Sequence, residues 1–206
     1  MKSRFFANIS HEFRTPLTLI KSPLQQLQAT ATDEKQKKQL NLVDQNAERM
    51  LELVDQLLEL SKLDSGIFKL ILKEGNLSSF LKSITEPFAF QAKENNLSFH
   101  TTIQTTNQNH FFDKDVIQKI VSNLLSNALK YTPENHSIHF TSSFEKEILL
   151  LSVSNSGVKL KKEELPKLFE RFYQKTDTKG GVGIGLSLVK ELVDLYQGTI
   201  TTSQIT

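Results

Sequence analysis

The sequence predicts an α+β protein: an N-terminal helical hairpin forming a dimeric four-helix bundle, then a two-layer α/β sandwich with a mixed sheet. Three observations carry this expectation. Apolar residues recur at steps of three and four as far as Leu63, alternating segments begin only near residue 70, and the later helices and strands interleave without regular βαβ spacing.

The first helix is marked by Phe6, Ile9, Phe13, Leu17, Ile20, Leu24 and Leu27. The second carries Leu40, Val43, Ala47, Met50, Val54, Leu57 and Ser61, with Leu51, Leu58 and Leu60 widening its apolar face. The polar stretch ATATDEKQ joins them. One hairpin buries only one side of each helix, so stripes this broad ask for a second copy of the chain, and a homodimer is expected. The glycines and alternation of LDSGIFKLILKEGNLSSF end the helical period, which divides the chain into domains 1–66 and 67–206. The second domain reads as a helix over 77–95, strands at LSFHTTI and HFF, and a helix over 113–131. A hairpin of SIHFTSSF and EILLLSVS follows, then a glycine-rich loop, a last helix LSLVKELVDLYQ and a strand GTITTS.

Composition narrows the function. Lys plus Arg number 25 against 23 Asp plus Glu, so a net charge of +2 gives no electrostatic reason to expect nucleic acid or an anionic membrane. The charged runs EKQKK and KLKKEE read as solvated surface. Without cysteine there is no disulfide framework and no thiolate metal site, and a cytosolic address is expected. No apolar run approaches the roughly 18 residues of a membrane helix, and any anchor lies outside this sequence.

With Phe6 and Phe13 innermost in the bundle, His11 falls at the outermost position, facing solvent. An exposed histidine alone is ordinary surface, but its neighbours change that reading. Glu12 can hydrogen-bond one ring nitrogen and leave the other lone pair free to attack. Thr15 lies one turn on, over the same face, where its hydroxyl could hold a water or an incoming group. Pro16 cannot donate to the carbonyl of Glu12, so a bend is expected just after this turn.

A second constellation lies in SNLLSNALKYTPE. Asn123, Asn127 and Lys130 follow at spacings of four and three, on one side of a helix whose other side carries Ile120, Leu124 and Leu125. Amide oxygens suit a magnesium ion that already holds phosphates, Lys130 adds charge for those phosphates, and Tyr131 offers a flat ring for a base. Read alone, such amides are equally a helix's wet face. Farther on, Gly180, Gly181, Gly183 and Gly185 leave backbone amides uncovered before a helix N-terminus, a place for phosphate, though a ligand-free turn looks the same.

Together these stretches resemble the sensor histidine kinases. NISHEFRTPL is similar to the phosphoacceptor motif of that family, NLLSNALKY to its asparagine motif, LFERFYQ to its phenylalanine motif and GVGIGLSLV to its glycine-rich lid. The resemblance runs from about residue 4 to 203. It implies a dimerisation and histidine-phosphotransfer hairpin, then an ATP-binding domain of the GHKL type shared with gyrases and some chaperones. It further implies ATP and Mg2+ as ligands, a response-regulator receiver domain as partner, and a cytoplasmic fragment of a membrane-anchored sensor. His11 is then the phosphoacceptor, Glu12 its orienting base, and Thr15 the residue that helps water attack in a phosphatase step. Asn123 and Asn127 serve magnesium and phosphates, Lys130 the phosphates, and Tyr131 the adenine. Phe169 and Phe172 anchor a lid that Gly181, Gly183 and Gly185 let close over the nucleotide, with Leu186 beside it. Core packing is the rival explanation for those two phenylalanines.

Departures from the family pattern fall in the nucleotide site. Where the family has an aspartate for adenine's exocyclic amine, two residues before a glycine, this chain has Asn155 and Gly157, with Lys159 at a position usually glycine. Val182 replaces a hydroxyl residue of the lid. Asn155 keeps an acceptor oxygen if its amide faces the right way, and loss of the charge costs about 1–2 kcal/mol, or about tenfold in affinity. Two functions therefore stand beside each other: a histidine kinase, and a nucleotide-impaired, phosphatase-biased or non-catalytic module that binds a receiver. An ATP-hydrolysing clamp is disfavoured, because Asn123 stands where such enzymes place a carboxylate.

Overall fold

The computed structural model describes residues 2–105, 108–145, 148–174 and 183–204, with side chains from residue 16 onward. It divides into two compact units, residues 1–69 and 70–206.

The first unit is a hairpin of α1 (Lys2–Thr30) and α2 (Glu34–Asp64). Its turn is shorter than ATATDEKQ suggests, because Asp33 caps α2 by accepting from the Gln36 N–H and draws Glu34, Lys35 and Gln36 into the helix. α1 runs through Pro16 and Pro23, each of which deprives a carbonyl four residues back of its bond. The predicted stripe divides. Leu17, Leu24, Ala47 and Leu60 are buried within the hairpin, whereas Ile20, Leu27, Val43 and Met50 stay 48–55% exposed. Lys21 and Glu48 tie the helices together across the surface, and this bond holds the ammonium above its usual range. Asp44 keeps a buried carboxylate oxygen without a partner among the described residues.

The second unit layers helices on a small sheet. Strand β1 (Lys73–Gly75) leads into α3 (Leu77–Glu94), followed by β2 (Ser98–Ile103), β3 (His110–Phe112), α4 (Lys114–Tyr131), β4 (Ser137–Glu145) and β5 (Ile148–Asn155). A 3-10 helix spans Leu165–Phe169, and α5 spans Gly185–Leu195. β2 runs parallel to β4, β4 antiparallel to β5, and β1 pairs separately with β3. The sheet is mixed, as expected. Along β4, Ile138, Phe140 and Ser142 are buried while His139 and Thr141 face out, so the strand presents one face to α3 and α4. Leu77, Leu81, Ile84, Phe112, Ile117, Val121, Leu125 and Phe140 form the main core.

α4 is held at its start by Asp113, whose carboxylate accepts from the N–H groups of Asp115, Val116 and Ile71. The N–H of Asp113 itself donates to Tyr196 Oη at 2.8 Å. The helix buries Val116, Ile120, Val121, Leu125 and Ala128, which leaves its amide-bearing edge half-buried.

Two expectations are corrected. GTITTS is not a strand: α5 ends at Leu195, Gln197 turns the chain at φ 56°, and residues 198–204 join no ladder. Alternation alone does not make a strand without a paired edge, and among the described residues β5 is paired only with β4. The last helix also begins at Gly185, within the glycine-rich segment.

Candidate functional site

Three elements of the second unit assemble the site, and α4 is its spine. Asn123 donates from Nδ2 to its own helix at Lys119 O, 2.8 Å away, which turns Oδ1 off the helix. That oxygen faces Gly185, the first residue of α5. Ile184 caps α5 without a side-chain hydrogen bond, and the first N–H to close a helical bond to it is that of Leu188. An oxygen donor and uncapped helix amides thus meet beside the middle of the spine.

Nine residues along, about 14 Å at the helical rise, α4 ends at Thr132. This residue precedes Pro133 and takes the extended backbone such a position favours, with φ −73° and ψ 125°. Its hydroxyl donates to Ala128 O at 2.6 Å and accepts from Asn155 Nδ2 at 3.2 Å, which ties the end of β5 to the end of α4. Gly157 follows at φ +81°, and a β-carbon there would lie 2.3 Å from the His136 ring. His136 in turn donates from Nδ1 to Glu134 O at 3.0 Å. Neither Thr132 nor His136 was among the expected site residues. The stop before Pro133 is visible in the sequence, but the bond to Asn155 spans 23 residues and leaves no local trace.

The remaining expected residues fall as follows. Asn127 is half-buried on the same edge of α4 as Asn123. Lys130 Nζ lies 4.9 Å from the centroid of the Tyr131 ring, so the cation assigned to phosphate occupies one face of the ring assigned to the base. Leu186 is half-buried in the first turn of α5. Gly183 adopts φ +72° and bonds through its carbonyl to the Phe172 N–H at 2.9 Å; a β-carbon there would meet Tyr173 O at 2.5 Å. Phe172 is 60% exposed at φ 66°, and Phe169 is half-buried at the end of the 3-10 helix. Asn155 and Lys159 lie at the surface. Gly180, Gly181 and Val182, and the side chains of His11, Glu12 and Thr15, lie outside the described residues. The backbone of those last three belongs to α1.

Magnesium fits this donor set. Among the described residues no three His, Cys, Asp or Glu side chains converge into a protein cage, but the outward Oδ1 of Asn123 beside Asn127 would offer hard oxygens to a cation whose other ligands are phosphate and water.

Comparison with known proteins finds two families along the chain. Residues 1–66 match the His Kinase A (phospho-acceptor) domain, and residues 112–205 match the Histidine kinase-, DNA gyrase B-, and HSP90-like ATPase family. Histidine kinase P4 of Formosa agariphila is 37% identical over 97% of this chain, which spans 15% of that relative's length. The fold is shared with full-length ShkA, solved in complex with AMPPNP, at a TM-score of 0.82 and 24% identity over 98% of this chain and 42% of that one. The histidine kinase ThkA, solved in complex with response regulator protein TrrA, aligns at a TM-score of 0.63 and 25% identity over 95% of this chain and 55% of that one. With these two matches in tandem, on a helical hairpin followed by an α4 amide edge facing a glycine-started helix, this chain belongs to the sensor histidine kinase family, as its phosphoacceptor and ATPase-type domains.

Proposed function

We propose that this chain binds Mg-ATP, phosphorylates itself on His11 and passes the phosphoryl group to the aspartate of a response-regulator receiver domain. Residues 1–66 serve as the dimerisation and phosphoacceptor domain and 67–206 as the nucleotide domain. The observation that carries this reading is the layout along the second half of α4: a neutral base acceptor, Asn155, is tied to the C-terminal end of the helix at Thr132, and an oxygen donor facing uncapped helix amides, Asn123 against α5, stands at mid-helix. That order suits a nucleotide lying along the helix with its base at Thr132 and its phosphates at Gly185.

Phosphoryl transfer asks the protein mainly to position groups and to balance charge. Glu12 hydrogen-bonds one imidazole nitrogen of His11, and the other attacks the γ-phosphorus; a N–P bond forms as the bond to the ADP oxygen breaks. Asn123 and Asn127 would hold a magnesium ion, which when bound would supply positive charge against the phosphate oxygens. Lys130 adds a cation, and Thr15 orients water when the receiver is dephosphorylated. The ThkA–TrrA complex supports a receiver as partner, and the exposed Ile20, Leu27, Val43 and Met50, at heptad spacing on each helix, support a second copy of the hairpin as the other. Membrane anchoring of the parent protein belongs to the same proposal; no described helix of this chain is long and apolar enough to cross a bilayer.

Exchange of His11 for Gln tests the assignment: acid-labile labelling from γ-labelled ATP should vanish while the oligomeric state is kept. Full labelling of that variant refutes it. The second reading, a receiver-binding module that holds nucleotide poorly, rests on the missing carboxylate at Asn155.

A further inference from the structure

The amide of Asn155 is not free to choose which of its two ends it presents. Thr132 is 95% buried, so no water replaces its partners, and its single hydroxyl proton has two candidate acceptors. It lies 2.6 Å from Ala128 O and 3.2 Å from the Asn155 side chain, and the short contact takes the proton. Thr132 Oγ1 then offers only lone pairs toward β5. An Asn155 turned the other way would set Oδ1 against that oxygen, two acceptors facing each other, so Nδ2 must face inward and Oδ1 must face out.

We propose that Thr132 is a positioning residue that makes Asn155 an obligate hydrogen-bond acceptor, and so selects a 6-aminopurine over a 6-oxopurine nucleotide. The proposal rests on the nucleotide site described above, with Asn155 at the base. A carboxylate at this position accepts whichever oxygen it presents and needs no such orientation. An amide does, because reversed it donates, and would match the carbonyl of a 6-oxopurine as well as Oδ1 matches the amine of adenine. The relay from Asn155 through Thr132 to Ala128 O removes that ambiguity. It turns what the sequence presents as a defect, a neutral residue for a charged one, into a directional acceptor.

The test compares Mg-ATP with Mg-ITP, which differ at the 6-position in presenting an amine or a carbonyl, by calorimetric titration of the whole chain. The unaltered protein should favour ATP by about tenfold or more. In Thr132→Val, which keeps the shape and removes the hydroxyl, the preference should shrink to within about threefold, chiefly because ITP binds better. Thr132→Ser should restore it. General damage to the site would weaken both nucleotides together and leave their ratio alone, so an unchanged ratio in Thr132→Val overturns the proposal. Should that variant fail to fold, proton NMR of the unaltered chain decides: Asn155 Nδ2 protons close to the Thr132 methyl support the relay, and their absence overturns it. If the unaltered chain binds neither nucleotide while those contacts are present, it is the nucleotide reading that fails, and the specificity proposal falls with it.

Discussion

The side-chain oxygen of Asn123 stands 2.8 Å from the point where a β-carbon on Gly185 would sit. Gly185 opens α5, where glycine is a poor helix former, so its presence is explained by this neighbour rather than by the helix. A methyl group there would push the Asn123 amide off its bond to Lys119 O and turn its oxygen from the α5 N-terminus.

Gly185→Ala should therefore separate stability from binding. Helix propensity favours alanine by about 1 kcal/mol, which offsets the local clash, so the melting temperature should hardly move. Mg-ATP affinity should fall about tenfold. Calorimetry beside a thermal melt checks both, and unimpaired binding would remove Asn123 from the magnesium and phosphate end.

Asp in place of Ile20 or Val43 should dissociate the dimer without unfolding the hairpin. Both side chains are about half exposed within one hairpin, so a charge there costs the monomer little. In a two-fold interface each change is made twice, and lost burial of about 1.5–3 kcal/mol per side weakens association at least about hundredfold. Light scattering across a dilution series reads this; a variant that stays dimeric would place the interface elsewhere.

Asn155→Asp distinguishes a kinase with a softened base contact from a module that scarcely holds nucleotide. Adding the charge should tighten ATP by about tenfold. A gain of several hundredfold, from a baseline too weak to titrate, would favour the second reading.

The phenol of Tyr196 should set an alkaline limit for the second unit. Burial pushes it above its usual 10.0; the charge of Asp113 acts in the same direction, and the bond from the Asp113 N–H opposes. A group whose pKa rises on folding contributes stability that is present below its unfolded value and lost as pH climbs through the folded one. Denaturant melts should thus show stability declining only above about pH 10. Tyr196→Phe should abolish that step and, by leaving the N–H of the buried Asp113 unpaired, destabilise by about 1–3 kcal/mol at neutral pH.

Periodicity alone was enough to read the helical hairpin, the amide edge of α4 and the β4–β5 hairpin, because each depends on residues three, four or two apart along one element. The division of the hairpin stripe into buried Leu17 and Leu24 and exposed Ile20 and Leu27 was not legible, since a helix shows its apolar width but not how much one partner covers. Nor was the turn at Gln197 that keeps GTITTS from any ladder, because a strand exists only where another strand's edge receives it. The site divides in the same way. Side-chain chemistry singled out Asn123 in the linear chain, the glycine run singled out Gly185, and the family resemblance singled out Asn155; the orientation of the two amides came from Lys119 O, Thr132 and Ala128 O, partners brought within hydrogen-bond reach by helix geometry and by packing of α4 against β5 and α5. Which atom of an amide faces a ligand depends on where a neighbouring proton goes, and only the folded chain decides that.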